Sequence, residues 1–201
     1  MSLSLWLSFV LVCFLGTISP GPSLAVVLRQ SLGNGRKHGV VTAMSHSTGV
    51  ALWAVLTLWG LGVVVAEHPT LYQVITYSGA VYLAWLGIKA LRSMGGIHSF
   101  SEEQVGSYLS AVSDGALISL MNPKLALFFI ALFSQFLSAD QTLVDQLILL
   151  STVVLIDLIW FSWIAIMITQ GRLLKILQNR SKELDRVSGV VMIGLALRIA
   201  L

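Results

Sequence analysis

The sequence predicts an all-α integral membrane protein: six transmembrane helices in two inverted three-helix repeats, the first and fourth helices interrupted by proline. Three observations predict it. The 201 residues are 56% hydrophobic and only 10% charged, with a mean hydropathy of +0.88, where a typical soluble domain is about 25% charged. The apolar residues fall in six long runs, and long continuous runs span a bilayer only as helices, which satisfy their own backbone hydrogen bonds. A polar linker divides those runs three and three.

A spanning helix needs about 20 apolar residues. The first run covers residues 3–28. It lacks the positive start and small-residue cleavage site of a signal peptide and continues past Pro22, so it reads as a retained helix. The second and third cover residues 39–66 and 71–91. Residues 93–112 follow as the linker, the longest polar stretch, with Gly95, Gly96, Ser99, Ser101, Glu102 and Glu103. The remaining runs cover 113–137, 143–170 and 187–201, the last being the shortest. The organisation is one transmembrane domain over 1–201, with repeat one at 1–92 and repeat two at 113–201.

The halves share short similarities. Pro22-Ser23-Leu24-Ala25-Val26 matches Pro123-Lys124-Leu125-Ala126-Leu127, and Leu86-Gly87-Ile88-Lys89-Ala90-Leu91-Arg92 matches Ile193-Gly194-Leu195-Ala196-Leu197-Arg198. Three spans per half is an odd number, so the halves run in opposite directions through the membrane. Inverted repeats with broken helices are a construction of secondary transporters.

Charge sets the orientation. The first, third and fifth loops hold three, two and five of the 12 Lys and Arg residues: Arg29, Arg36 and Lys37; Lys89 and Arg92; Arg172, Lys175, Arg180, Lys182 and Arg186. The loops near Glu67 and Asp140 hold none. The positive-inside rule places the basic loops in the cytoplasm and both termini outside. The fifth loop reads as a solvated charge run with anionic lipid contact as a secondary role. Arg198 and Lys124 are the exceptions to the pattern.

The interruptions are Ser19-Pro20-Gly21-Pro22 and Asn122-Pro123-Lys124. Proline breaks a helix interior but suits the first helical position, and Asn or Ser suits the cap before it. Asn122 is therefore expected to cap a half-helix from Pro123, and Gly21 or Ser19 to precede one from Pro22. Each restart leaves free N–H groups and about half a positive charge in the bilayer, which suits a carboxylate.

Lys124 and Asp157 lie near the centres of their spans, where a charge costs about 2.5–3.5 kcal/mol on a translocon scale. Two assignments stand side by side: a structural bridge between spans four and five, or a substrate site. In the second, Lys124 attracts a carboxylate, and Asp157 attracts an ammonium group or carries a coupling proton. No other acid is expected at that depth. His46, beside Ser47, Thr48 and Gly49, reads as a helix-packing polar residue, with a proton relay as the alternative. Cys13 reads as a buried small hydrophobe. Trp53, Trp85, Trp160 and Trp163 read as core filling, and Asp114 after Ser113 as an N-cap. His38, His68 and His98 lie in or near loops and suggest no metal cluster. There is no G-x-S-x-G, H-E-x-x-H or P-loop, so neither an enzyme nor a cofactor is signalled. An intramembrane hydrolase using Ser47 or Ser19 with His46 meets poor geometry, because adjacent helical residues splay apart. A channel or structural membrane subunit is the other alternative. Nucleic acid has no basic face to bind beyond the fifth loop.

On these residues the chain resembles the LysE/RhtB family of amino-acid exporters. The carriers are Ser19-Pro20-Gly21-Pro22, Asn122-Pro123-Lys124, Asp157 near Trp160, and Gly194-Leu195-Ala196-Leu197-Arg198. Ser19 stands where the family usually has Thr, which keeps a hydroxyl. The resemblance covers essentially the whole chain. It implies export of amino acids from the bacterial cytoplasm across the inner membrane, driven by an ion gradient, with the proton as the expected coupling ion. The partners so implied are the amino-acid substrate, the proton and the lipid bilayer, with a homo-oligomer left open. One central acid facing Lys124 and two helix N-termini suits neutral substrates such as threonine, homoserine or leucine over basic ones.

Overall fold

The computed structural model describes residues 1–92, 106–138, 141–168 and 172–200. Among them are eight α-helices and no strand: α1 (Leu3–Ile18), α2 (Pro22–Asn34), α3 (Arg36–Glu67), α4 (Pro69–Leu91), α5 (Tyr108–Leu120), α6 (Pro123–Phe136), α7 (Leu143–Ile168) and α8 (Arg172–Ala200). The helices α3, α4 and α7 contain stretches long and apolar enough to cross a membrane, and the count rises to five if α1–α2 and α5–α6 each form one bent span.

Both breaks fall at the prolines. The axes of α1 and α2 differ by 57°. Pro20 and Pro22 lack the N–H groups that would carry the ladder across, so α1 closes on the Ser19 amide, which donates to the Leu15 carbonyl at 3.2 Å. The axes of α5 and α6 differ by 53°. There the Met121 amide closes α5 on the Leu117 carbonyl at 2.9 Å, and α6 restarts at Pro123.

Four expectations are corrected. The basic run read as a fifth loop is helical: α8 is continuous from Arg172, and 187–200 is its C-terminal half. Charged residues form good helices, and Arg180 pairs with Glu183 one turn on at 2.5 Å. The C-terminal part of the linker is helical too. Ser107 caps α5 by accepting from the Ser110 amide, so the helix begins at Tyr108 instead of Ser113. Asp114 consequently lies inside α5, where Arg29 and Gln30 of α2 donate to its carboxylate. Trp85 and Trp163, read as core filling, are about half exposed. The linker residues 93–105 lie outside the described residues.

Helix α3 is the centre of the bundle, packed against α2, α5, α6 and α7, while α4 packs against α6 and α8. Two apolar clusters result. The larger joins α1, α3, α4, α6, α7 and α8 around Phe9, Phe129, Phe133 and Leu132. The smaller joins α2, α3 and α7 around Val27, Leu28, Phe161 and Ile164. A Cβ on Gly87 would lie 2.7 Å from the Gly189 carbonyl oxygen, and one on Gly189 would lie 2.6 Å from that of Gly87. The close approach of α4 and α8 therefore requires glycine on both sides. Residues of both clusters line one small cavity together with His46, Asn122 and Asp157.

Candidate functional site

The two broken helices bring their N-termini together. Gly21 caps α2 in an extended conformation and supplies no side-chain acceptor. Pro22 has no N–H, and the first ladder bond runs from the Ala25 amide to the Gly21 carbonyl at 3.1 Å. The Ser23 and Leu24 amides are thus left at an open helix start. At α6 the cap is made: Asn122 Oδ1 accepts from the Lys124 amide at 3.0 Å, as its sequence position predicts. The Lys124 side chain reaches back to α2, its Nζ 3.6 Å from where a Cβ on Gly21 would stand. One full positive charge and two helix N-termini, each worth about +0.5, meet within a few residues.

Two cavities share this point. The wider, of about 580 Å³, has Ser19, Pro20, Gly21 and Pro22 along one wall and Lys89, Arg92, Lys124 and Asp185 around it. Its size falls in the roughly 300–1,000 Å³ range of small-molecule sites. The inner, of about 50 Å³, is lined by Ser23, His46, Asn122, Asp157 and Phe129 among others. Lys124, Ser19, Gly21 and Pro22 belong to both. From Phe129 in the wall of the inner cavity, the rings of Phe129, Phe133, Phe9 and Phe136 pack in series with centroids 5.2–5.9 Å apart.

The inner cavity's polar wall is a continuous hydrogen-bonded chain. Asp157, 4% exposed, accepts at Oδ2 from Ser47 Oγ at 2.7 Å and from His46 Nδ1 at 2.9 Å. A carboxylate only accepts, so Nδ1 carries the hydrogen. The second ring nitrogen of His46, Nε2, meets Ser23 Oγ at 2.9 Å. Helices α2, α3 and α7 each contribute, and Phe161 closes over the imidazole edge-on at 5.1 Å.

Most of the residues singled out in the sequence meet here. Ser19, Pro20, Gly21 and Pro22 line the wider cavity, and Asn122, Lys124 and Asp157 line the inner one. Pro123 stands at the first position of α6. Lys124 and Asp157 do not form an ion pair; the partners of Asp157 are His46 and Ser47. The structure also adds a second buried acid. Asp185 of α8 is 6% exposed and accepts from Ser19 Oγ at 3.3 Å. That overturns the expectation of a single central carboxylate. Asp185 was hidden in a run read as loop. The signal was its spacing: Asp185, Ser188, Met192 and Leu195 follow the 3-and-4 pattern of a buried helix face, and all four are buried. Ser23 carried no such signal, being one serine after a proline.

Broken helices whose N-termini face a charged cavity among apolar spans are the construction of a membrane transporter. The family model of the LysE type translocator matches residues 14–201. The chain is 31% identical to a leucine efflux protein of Enterobacter sp. (strain 638), covering 98% of this chain and 95% of that protein. It is 26% identical to the membrane protein YrhP of Bacillus subtilis, over 97% of this chain and 98% of the relative. It is 27% identical to a membrane protein of Vibrio cholerae, over 100% and 98%. No solved structure matches the chain. The protein belongs to the LysE family of translocators, which are multi-pass membrane transporters and not enzymes.

Proposed function

We propose that this protein is a secondary active exporter of amino acids, neutral ones before basic ones, moving them out of the bacterial cytoplasm across the inner membrane in exchange for protons. The observation that carries it is the convergence of Lys124 with the α2 and α6 N-termini on an amino-acid-sized cavity that also holds a buried carboxylate. A zwitterion has complementary ends: its carboxylate fits the α2 amides and Lys124, its ammonium fits Asp157 or Asp185. The substrate-binding set is Ser19, Pro20, Gly21, Pro22, Asn122, Pro123, Lys124 and Asp157, with Asp185 now added. The name of the leucine efflux relative supports the substrate class.

The inverted repeat gains support from spacing. Pro22 and Pro123 are 101 positions apart, and Gly87 and Gly189, which meet reciprocally across α4 and α8, are 102 apart. Related residues meet in this way at a two-fold axis. In this register Gly87 answers Gly189, whereas the sequence match pairs it with Gly194, where a Cβ would meet nothing within 4 Å. The sixth span is then carried by α8, and it includes Asp185 as well as residues 187–200. With basic helix ends inside, Lys89 and Arg92 put the mouth of the wider cavity on the cytoplasmic side. The packed phenylalanine rings then lie on the outer side.

The preference for neutral substrates rests on a different feature from the one read in the sequence. Asp185 supplies a second acid, but Lys89, Arg92 and Lys124 outnumber it around the same cavity, and a further cation on the substrate is repelled. Cells overproducing the protein and preloaded with labelled leucine, threonine, lysine or arginine test both claims. Leucine and threonine should leave saturably, with efflux stopped by a protonophore, and faster than the basic pair. Faster lysine and arginine efflux sinks the preference, and an unsaturable leak of all four makes the protein a channel.

The breaks themselves are testable. Pro22→Ala and Pro123→Ala should each cut efflux about tenfold, the size of a helix N-terminus interaction of roughly 1–2 kcal/mol with an anion. Membrane levels, followed by immunoblot, should stay near wild type. Normal efflux from either variant leaves that proline as a packing kink.

A further inference from the structure

The chain Ser23–His46–Asp157–Ser47 has a property that the substrate site does not need. Three of its four members are buried, it contains a histidine, and its two ends meet different things. Ser47 fixes the Asp157 carboxylate from within α3, while Ser23 is the second residue of α2, at the open helix start beside the cavity. We propose that His46, and not Asp157, carries the coupling proton of the exporter, taking it at Nε2, with Asp157 as the fixed counter-charge; this rests on the proposed exchange of amino acid for proton.

The assignment follows from hydrogen-bond direction. With Nδ1–H given to Asp157, the neutral ring has one lone pair left, at Nε2, and it accepts from the Ser23 hydroxyl. A proton arriving from cavity water adds to Nε2. The Ser23 bond then reverses, the hydroxyl becoming the acceptor and its hydrogen turning away. One O–H bond of a hydronium ion breaks as the N–H bond forms, a water molecule is released, and the proton leaves by the reverse step. The charge changes with it. Neutral His46 leaves the pair at −1, which attracts the ammonium of an amino acid; protonated His46 brings the pair to zero and removes that attraction. Proton and substrate therefore exclude each other, as antiport requires.

The surroundings leave this balance to the pair. Asp157 on α7 is the charged group that touches His46. From α6, Lys124 lines the same cavity. Arg29 of α2 and Asp114 of α5 neutralise each other. Lys89 of α4 lines the wider cavity, and Asp145 of α7 is held by the N-terminal amine at 2.8 Å. Phe161 and Val50 complete an apolar rim, so a charge on the ring finds its compensation in Asp157.

The test uses everted membrane vesicles, in which export appears as uptake, with labelled leucine and threonine as probes. Two modes are compared: accumulation driven by an acid-inside gradient, and one-for-one exchange of labelled against unlabelled substrate at equal pH. The variant His46→Gln keeps hydrogen-bonding atoms on a side chain of similar reach but does not titrate. It should lose gradient-driven accumulation by about tenfold or more, and keep exchange within about threefold. Accumulation at the wild-type level in the variant overturns the assignment. So does equal loss in both modes from protein present at normal levels, which makes His46 a structural member of the site. If wild-type vesicles neither accumulate nor exchange either amino acid, it is the exporter reading that fails, and the proton assignment falls with it.

Discussion

Asp157→Asn should lower export about 100-fold or more while the protein still accumulates in the membrane. Both recorded hydrogen bonds to this carboxylate end on Oδ2, from Ser47 and His46. An asparagine places its amide oxygen there and keeps both, so the helices α3 and α7 remain tied. What changes is the other end. Oδ1 makes no hydrogen bond among the described residues, and Asp157 lines the inner cavity; in the variant an N–H₂ group takes that place, donating where an acceptor stood. The pair with His46 also loses its negative charge, so neither a substrate ammonium nor a ring proton is compensated. Leaving one buried charge without its partner costs several kcal/mol, and about 3 kcal/mol is already a factor of roughly 100. Efflux of labelled leucine and the amount of folded protein, followed by gel filtration in detergent, separate the two effects. Efflux at the wild-type rate would make Asp157 a structural tie, and parallel loss of protein would make it a folding residue.

The parts of this site that could be read in the sequence are those whose chemistry is expensive in a bilayer. Pro22, Pro123, Lys124 and Asp157 each violate the default of an apolar helix, so each demands a reason at its own position. The breaks followed from proline alone, and the Asn122 cap from its place before Pro123. Partnership is less local. Asp157 and His46 are 111 residues apart and Ser19 and Asp185 are 166 apart, so which acid answers which group depends on how α7 and α8 rotate against α3 and α1. Lys124 and Asp157 are the conspicuous charges of the sequence, but the groups that Asp157 meets are His46 and Ser47. The loop reading of 172–186 failed for a general reason. Hydropathy reports the medium a segment meets, not whether it is helical, and a charged helix leaving the membrane looks like a loop.

Lys124→Met should raise the leucine concentration needed for half-maximal transport about 30-fold, and should do so by erasing recognition of the carboxylate. The methionine keeps the apolar stem and loses the ammonium that sits over the first turn of α2. Both helix N-termini remain, so the loss is partial. One charge-assisted interaction of roughly 2 kcal/mol corresponds to about a 30-fold change. Leucinamide, which keeps the ammonium and side chain but has no carboxylate, isolates the cause. As a competitor of labelled leucine, it should be about 30-fold weaker than unlabelled leucine in the wild type, and within about threefold of it in Lys124→Met. A variant that weakens yet still prefers leucine by the wild-type ratio would move the carboxylate site elsewhere, to Lys89 and Arg92 on the other wall of the wider cavity. Lys124 would then serve only to balance Asp185. The neighbouring Asn122 sharpens the comparison: Asn122→Ala frees the Lys124 amide from its cap at 3.0 Å and adds a donor without adding charge. It should cost helix stability of about 1 kcal/mol and leave the ratio between leucine and leucinamide unchanged, because the charge that reads the carboxylate is still there.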